Sequence, residues 1–299
     1  MNYSPTTRRQ FLQSAAVGAA ALSVARYAQA ATRTTPPAWT LGCLNRPWTK
    51  WSIEEALDGV KAAGYRTLGL QTPTPADPFV GIKATPAYLA ALKEKIAARG
   101  LHAIMGRVAT REAAPYAEAT AEIRRQVDNA QVLGLKALIN TGTGKPEHYE
   151  SWYKLMAFAA AYGADHGVQI VIKPHGGVTA AAAELLVCLE KVNNRNLALW
   201  YDAGNIIFYT GKDPLAELEP IVSHVSAFTG KDCAAKGSDV MIQFGDGKVD
   251  FPAIFRRLKK ANFNGPLMVE CCAIKGTAAE TTANARANRE FLEKAIAAA

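Results

Sequence analysis

The chain has 299 residues, five cysteines and a formal net charge of +8. A basic excess that small and evenly spread argues against a nucleic-acid partner, and an odd cysteine count without C-x-x-C spacing indicates neither a disulfide framework nor a zinc cluster. A chain this long buries enough core without staples, so Cys271 and Cys272 read as buried structural thiols.

At the N-terminus, Thr7-Arg8-Arg9-Gln10-Phe11-Leu12 sets paired arginines ahead of an apolar, small-residue stretch at 15–24. Ala28-Gln29-Ala30 then has the A-x-A form of a signal-peptidase site. The pattern predicts a twin-arginine export signal over 1–30, cleaved after Ala30, and a periplasmic mature chain of net charge +5, because the signal carries three arginines and no acid. A membrane anchor is the alternative, but about ten apolar residues fall short of the roughly 20 that span a hydrocarbon core. No later segment reads as membrane-inserted.

After an extended, Pro-containing lead at 31–38, apolar runs predict eight strands, at 39–44, 66–70, 101–106, 137–141, 168–173, 197–202, 224–228 and 267–270. Helices are predicted between them. Ser52-Ile53-Glu54-Glu55 is a capping box opening the first, which runs to Ala63 before Gly64. The others fall at 86–99, 115–133, 148–166, 180–192, 214–221, 252–261 and 278–298, several opened by a cap and Pro, as at Thr85-Pro86 and Asp213-Pro214. Eight such pairs predict a single-domain α/β fold, a (β/α)8 TIM barrel over 39–299. A doubly wound sheet is the alternative, but no G-x-G-x-x-G follows the first strand, and no nucleotide cofactor is expected. Two loops exceed what a connection needs: 71–84, with three prolines, and 230–251, where Gly245-Asp246-Gly247 reads either as a substrate cover or as a small hairpin turn.

Several strands close in polar residues: IVIKPHGG at Gly177, LALWYDAGN at Asn205, SAFTGKD at Asp232 and PLMVE at Glu270. Parallel strands buried on both faces read as continuous apolar runs, and in a barrel their C-terminal ends converge on the active face. That groups Lys173, His175, Asp202, Lys231 and Glu270 around one pocket, with Asn205, Trp48 and Tyr209 as candidates to bind substrate. Each has a plainer reading. Asp202 suits a turn, Lys173 to Gly177 a strand exit, Glu270 an ion pair with either lysine, and the aromatics simple packing. His102, His148, His166 and His224 fall at strand starts or on helices and read as structural. There is no nucleophile elbow, P-loop or H-E-x-x-H.

The order GYRTLGLQ, GVQIVIKPHGG, WYDAGNIIFYTGKDPL, HVSAFTGKD and GDGKVDFPAIFRRLKKANFNGPLMVE resembles the xylose isomerase-like superfamily of sugar isomerases and epimerases, over roughly 39–295. The resemblance implies a TIM barrel and, in many members, a divalent metal held by carboxylates and a histidine while a proton moves on a sugar enediolate. Asp202 and Glu270 match the family's metal-binding residues on the sixth and eighth strands. Lys173 stands where the fifth-strand Glu is usual, and Thr229 where a His precedes Lys-Asp.

Two chemistries stay open for such a site. Asp202, Glu270 and His175 hold a zinc or manganese ion with open positions, or Lys173 and Lys231 stabilise an enolate while Glu270 or His175 moves the proton. Either predicts a sugar isomerase or epimerase working next to a carbonyl, with a lyase on 3-keto-glycosides as a variant. A sugar-binding or accessory protein without chemistry is the other class, including a scaffold for an oxidoreductase partner. A small carbohydrate is the expected partner, and a homodimer is consistent with a barrel of this size.

Overall fold

Short runs of β-branched and other apolar residues supply eight strands: β1 (Leu41–Leu44), β2 (Thr67–Leu70), β3 (His102–Arg107), β4 (Ala137–Asn140), β5 (Gln169–Ile172), β6 (Leu197–Tyr201), β7 (Val225–Gly230) and β8 (Leu267–Val269). All pair in parallel in chain order, and β1 closes on β8. The computed structural model describes residues 39–299; the predicted export signal and the 31–38 lead lie outside them.

Nine α-helices cover this barrel among the described residues: α1 (Ile53–Ala62), α2 (Pro86–Ala98), α3 (Tyr116–Leu133), α4 (Tyr149–Asp165), α5 (Ala182–Val192), α6 (Ala203–Thr210), α7 (Pro214–Leu218), α8 (Phe251–Lys260) and α9 (Ala278–Ala297). Their starts follow local chemistry. Ser52 and Thr277 close capping boxes, while Thr85, Asp213 and Asp250 accept from first-turn amides. No described helix is long and apolar enough to cross a membrane.

Side chains alternate across each strand and build two cores. The outward set packs under the helices, whereas Leu44, Met105, Ile139, Val171, Trp200, Ala227 and Met268 fill the barrel interior. Several predicted boundaries shift. The first strand starts at Leu41, because Trp39 turns aside to donate its indole N–H to the Phe263 carbonyl at 2.8 Å and to pack edge-on against Phe255. The predicted 214–221 helix divides, since Pro220 opens a 3-10 turn over Glu219–His224. Helix α6 is new: Asp202 caps it, and Gly211 ends it at φ 73°.

The 230–251 loop forms no hairpin and is tied to one carboxylate. Fully buried Asp232 accepts from Cys233 N (2.8 Å) and Val249 N (3.1 Å) on Oδ1, and from Gly245 N (2.9 Å) and Gly247 N (3.1 Å) on Oδ2. A Cβ at Gly247 would fall 2.0 Å from Asp232 Oδ1, so only glycine admits this clasp. Removing a buried anion that four amides depend on leaves those amides unpaired. Asp232→Ala is expected to cost on the order of 3 kcal/mol, read as a lower urea midpoint.

Candidate active site

The site grows out of the interior core by one step along each strand. Two residues beyond inward-facing Val171, Trp200, Ala227 and Met268 come Lys173, Asp202, Thr229 and Glu270, and two beyond Thr229 comes Lys231. Strand alternation therefore converts an apolar layer into a polar one at the C-terminal mouth. Lys173, Asp202, Lys231 and Glu270 are all essentially buried.

Buried charges persist only when paired, and these are. Lys173 Nζ donates to Asp202 Oδ2 at 2.9 Å and to Glu270 Oε2. Lys231 Nζ donates to Asp202 Oδ2 (3.0 Å), Glu270 Oε1 (3.1 Å) and Asn205 Oδ1 (2.8 Å). Arg46, just beyond β1, adds Nη1 to Glu270 Oε1 at 2.5 Å and is the partly exposed member. Three cations thus face two carboxylates, an excess of positive charge at the mouth. An ammonium has three N–H donors. Lys231 spends all three, whereas Lys173 spends two on the described residues and keeps one.

Asp202 serves two structures at once, since its Oδ1 accepts from Asn205 N at 2.9 Å as the cap of α6. The predicted turn at Asp202 is therefore a helix start. Asn205 faces inward: its amide donates to the Pro174 carbonyl at 2.6 Å while its oxygen takes Lys231, so it orients the lysine rather than a ligand.

His175 and Tyr209 form a second group. Gly176 and Gly177 turn the chain after Pro174 with φ of 78° and 53°, and a Cβ at Gly176 would sit 2.8 Å from the Tyr209 ring. Glycine there lets the phenol lie against the loop and meet the imidazole, with Tyr209 Oη 3.0 Å from His175 Nε2.

Electrostatics separate the roles. Burial, then Lys173 and Lys231, lower His175 to about 4, so it is neutral at pH 7. Burial alone would raise Glu270, but Lys173, Lys231 and Arg46 hold it well below the usual carboxylate range. Burial likewise opposes the charge of Lys231, yet Asp202 and Glu270 keep its pKa above the ordinary value. Burial raises Tyr209, which stays a phenol.

Trp48 does not reach this mouth. It is fully buried, its indole N–H on Thr282 Oγ1 at 3.2 Å and its ring against Gly59, so it packs α9 and α1 rather than a sugar. Nor is the expected ligand set Asp202, Glu270 and His175 assembled: no three His, Cys, Asp or Glu side chains converge among the described residues. The facing carboxylates carry the Lys173 ammonium between them, and His175 stands with Tyr209. This donor set does not fit manganese or zinc. Arg46 escaped the sequence reading although its place was legible, two residues past inward-facing Leu44.

Acid should weaken this arrangement. The unfolded chain protonates His175 near pH 6.5 and the folded one only near 4, so stability falls as pH drops through that window, by on the order of 3 kcal/mol at full effect. Protonation of Glu270 removes more at still lower pH, because its folded pKa is depressed. Urea midpoints compared at pH 7 and 4.5 should show the loss, and His175→Gln should shrink it.

A family model described as a xylose isomerase-like TIM barrel matches residues 57–295. The chain is similar to an inosose dehydratase of Lacticaseibacillus casei, 22% identical over 271 residues, covering 79% of this chain and 87% of that one. It is also similar to an inosose dehydratase of Clostridium botulinum (strain Alaska E43 / Type E3), 30% identical over 124 residues, 36% of this chain and 41% of the relative, less than half of that protein's length. In three dimensions it resembles a D-allulose 3-epimerase from Methylomonas sp., with TM-score 0.67, 18% identity, and 87% and 99% of the two chains covered. At that identity the likeness shows the fold alone. With eight parallel strands closed in chain order and a family model matched across most of its length, the chain belongs to the xylose isomerase-like TIM barrel family.

Proposed function

We propose that this protein is an enzyme that removes a proton next to the carbonyl of a sugar or keto-sugar, with an ammonium group in place of a metal as the electrophile. The observation that carries the reading is Lys173: a buried cation fixed by Asp202 and Glu270, with one N–H uncommitted among the described residues, at the mouth of a barrel. When a proton leaves the carbon beside a carbonyl, negative charge gathers on the carbonyl oxygen. A preorganised N–H aimed at that oxygen in a water-poor site stabilises the enolate more than the ground state.

The proton needs an acceptor with a free lone pair. The Glu270 oxygens are engaged by three cations, whereas His175 is unprotonated at pH 7 and meets the Tyr209 hydroxyl, so His175 takes that part. Lys231, Asn205 and Arg46 hold the two carboxylates and so position Lys173.

Relatives named inosose dehydratase support this chemistry, because dehydration beside a ketone begins with the same proton removal as inversion beside a ketone. Reprotonation on the other face is epimerisation or isomerisation; loss of a β-oxygen is elimination. The dehydratase names favour elimination as the second reading, with a 3-keto-glycoside as one substrate. The A-x-A site and twin arginines support a periplasmic setting, checked by N-terminal sequencing of the mature protein.

Incubation with D-fructose, D-allulose and an inosose in deuterium oxide tests the core step. Wild type should wash deuterium into the carbon beside the carbonyl, and Lys173→Met should slow that exchange at least about 100-fold. The product then distinguishes an epimer from an eliminated enone. Absence of exchange from every substrate would make this a binding protein. The acid limb of kcat/KM should fall near pH 4 rather than 6.5, because it reports His175 in the free enzyme.

A further inference from the structure

Among the described residues, two buried side-chain polar atoms lack any hydrogen-bond partner: Gln71 Oε1 and Thr229 Oγ1. Their residues are 7% and 1% exposed. Other buried polar side chains nearby are paired, as Asn45 is with the Gln71 and Thr72 amides and Asn140 with Gly142 and Trp152. Native folds seldom leave such atoms orphaned, and a purely structural position would be better served by Val or Leu.

Both fall on the ring that already holds the charged cluster. Gly69 faces inward, since a Cβ there would meet Leu44 and Met105, and Gln71 is the next inward step. Thr229 lies between inward Ala227 and Lys231, while Gly230 faces outward toward Phe244 and Leu292. In the closed order β7, β8, β1 and β2 are neighbours, so Thr229 and Gln71 flank Glu270 and Arg46.

Resting on the sugar reading of this same site, we propose that Gln71 and Thr229 are its hydroxyl-recognition residues and that the ligand is a polyol that turns a hydroxyl group toward each of them. Gln71 Oε1 only accepts, so the group facing it must donate a proton. A hydroxyl does; an ionised carboxylate or phosphate does not. The Thr229 hydroxyl both donates and accepts, which matches a second hydroxyl of the same ligand. Substrate binding completes the two hydrogen bonds that folding leaves open, and an analogue lacking a hydroxyl leaves one of them open still.

The test uses the full chain with Thr229→Val and Gln71→Leu, each close to the native shape. Without ligand, both variants should unfold at the wild-type urea midpoint or above it, since each removes an unpaired polar atom. A lowered midpoint would mean that an ordered water or the protein itself uses these groups, and would overturn the proposal. With D-fructose, D-allulose and an inosose as probes, calorimetry should show Kd for whichever binds wild type weakened roughly 5- to 100-fold in each variant. An unchanged Kd, or no probe binding to wild type, overturns it too. Deuterium exchange on the same samples separates the two readings. Exchange in wild type with unchanged Kd in the variants sinks hydroxyl recognition and leaves the chemistry; weakened Kd without exchange leaves a polyol-binding site and sinks the chemistry.

Discussion

The buried ammonium of Lys173 between two carboxylates is the constraint on which the mouth of this barrel depends. An isolated ion at that depth would cost several kcal/mol after relaxation, so the closed barrel must keep its partners in place. Asp202 and Glu270 answer from β6 and β8, Lys231 ties both from β7, and Arg46 reaches back from β1. Five strand ends, that of β5 with Lys173 included, are thereby tied together by electrostatics above the apolar interior core. Such a lattice is a weak source of net stability and a strong source of geometry, because only one arrangement satisfies all its members.

The same side chains connect that lattice to the surrounding fold. Asp202 holds two lysines on one oxygen and starts α6 with the other, so the helix and the charge cluster are fixed together. Asn205, on the first turn of α6, passes the constraint to Pro174 and thus to the glycine turn that presents His175. Asp232, next to Lys231, turns the opposite way and gathers the long loop by four amides. Adjacent residues just past the end of β7 therefore divide the labour, one toward the site and one toward the loop at its edge.

A cation built into the chain acts differently from a bound one. It needs no loading, and its donors are carried on the chain itself. It cannot coordinate two oxygens as a metal does, so in the proposed reaction recognition of the remaining hydroxyls would fall to neutral groups around the ring. The neutral His175 fits that division, because a second charged acid beside Lys173 and Lys231 would raise the cost of the cluster.

Much of this was legible in the linear sequence. Eight apolar runs alternating with capped amphipathic segments specify a barrel, since strand and helix periods, caps and glycine stops are local properties. The ionisable residues at the ends of β5, β6, β7 and β8 were also visible there, because a parallel barrel gathers strand C-termini by topology alone. Which of them touch was decided only by tertiary structure. Charge type in the sequence does not say whether Asp202 and Glu270 face a metal or an ammonium, whether Asn205 turns toward a ligand or toward Lys231, or whether Trp48 lines the mouth or fills the space beside Gly59. The position of Arg46 past β1 was legible, but its pairing, like the extra helix α6, was hidden for the same reason. Their roles depend on partners more than two hundred residues away or on a cap shared with the site, and such relations exist only once the barrel has closed.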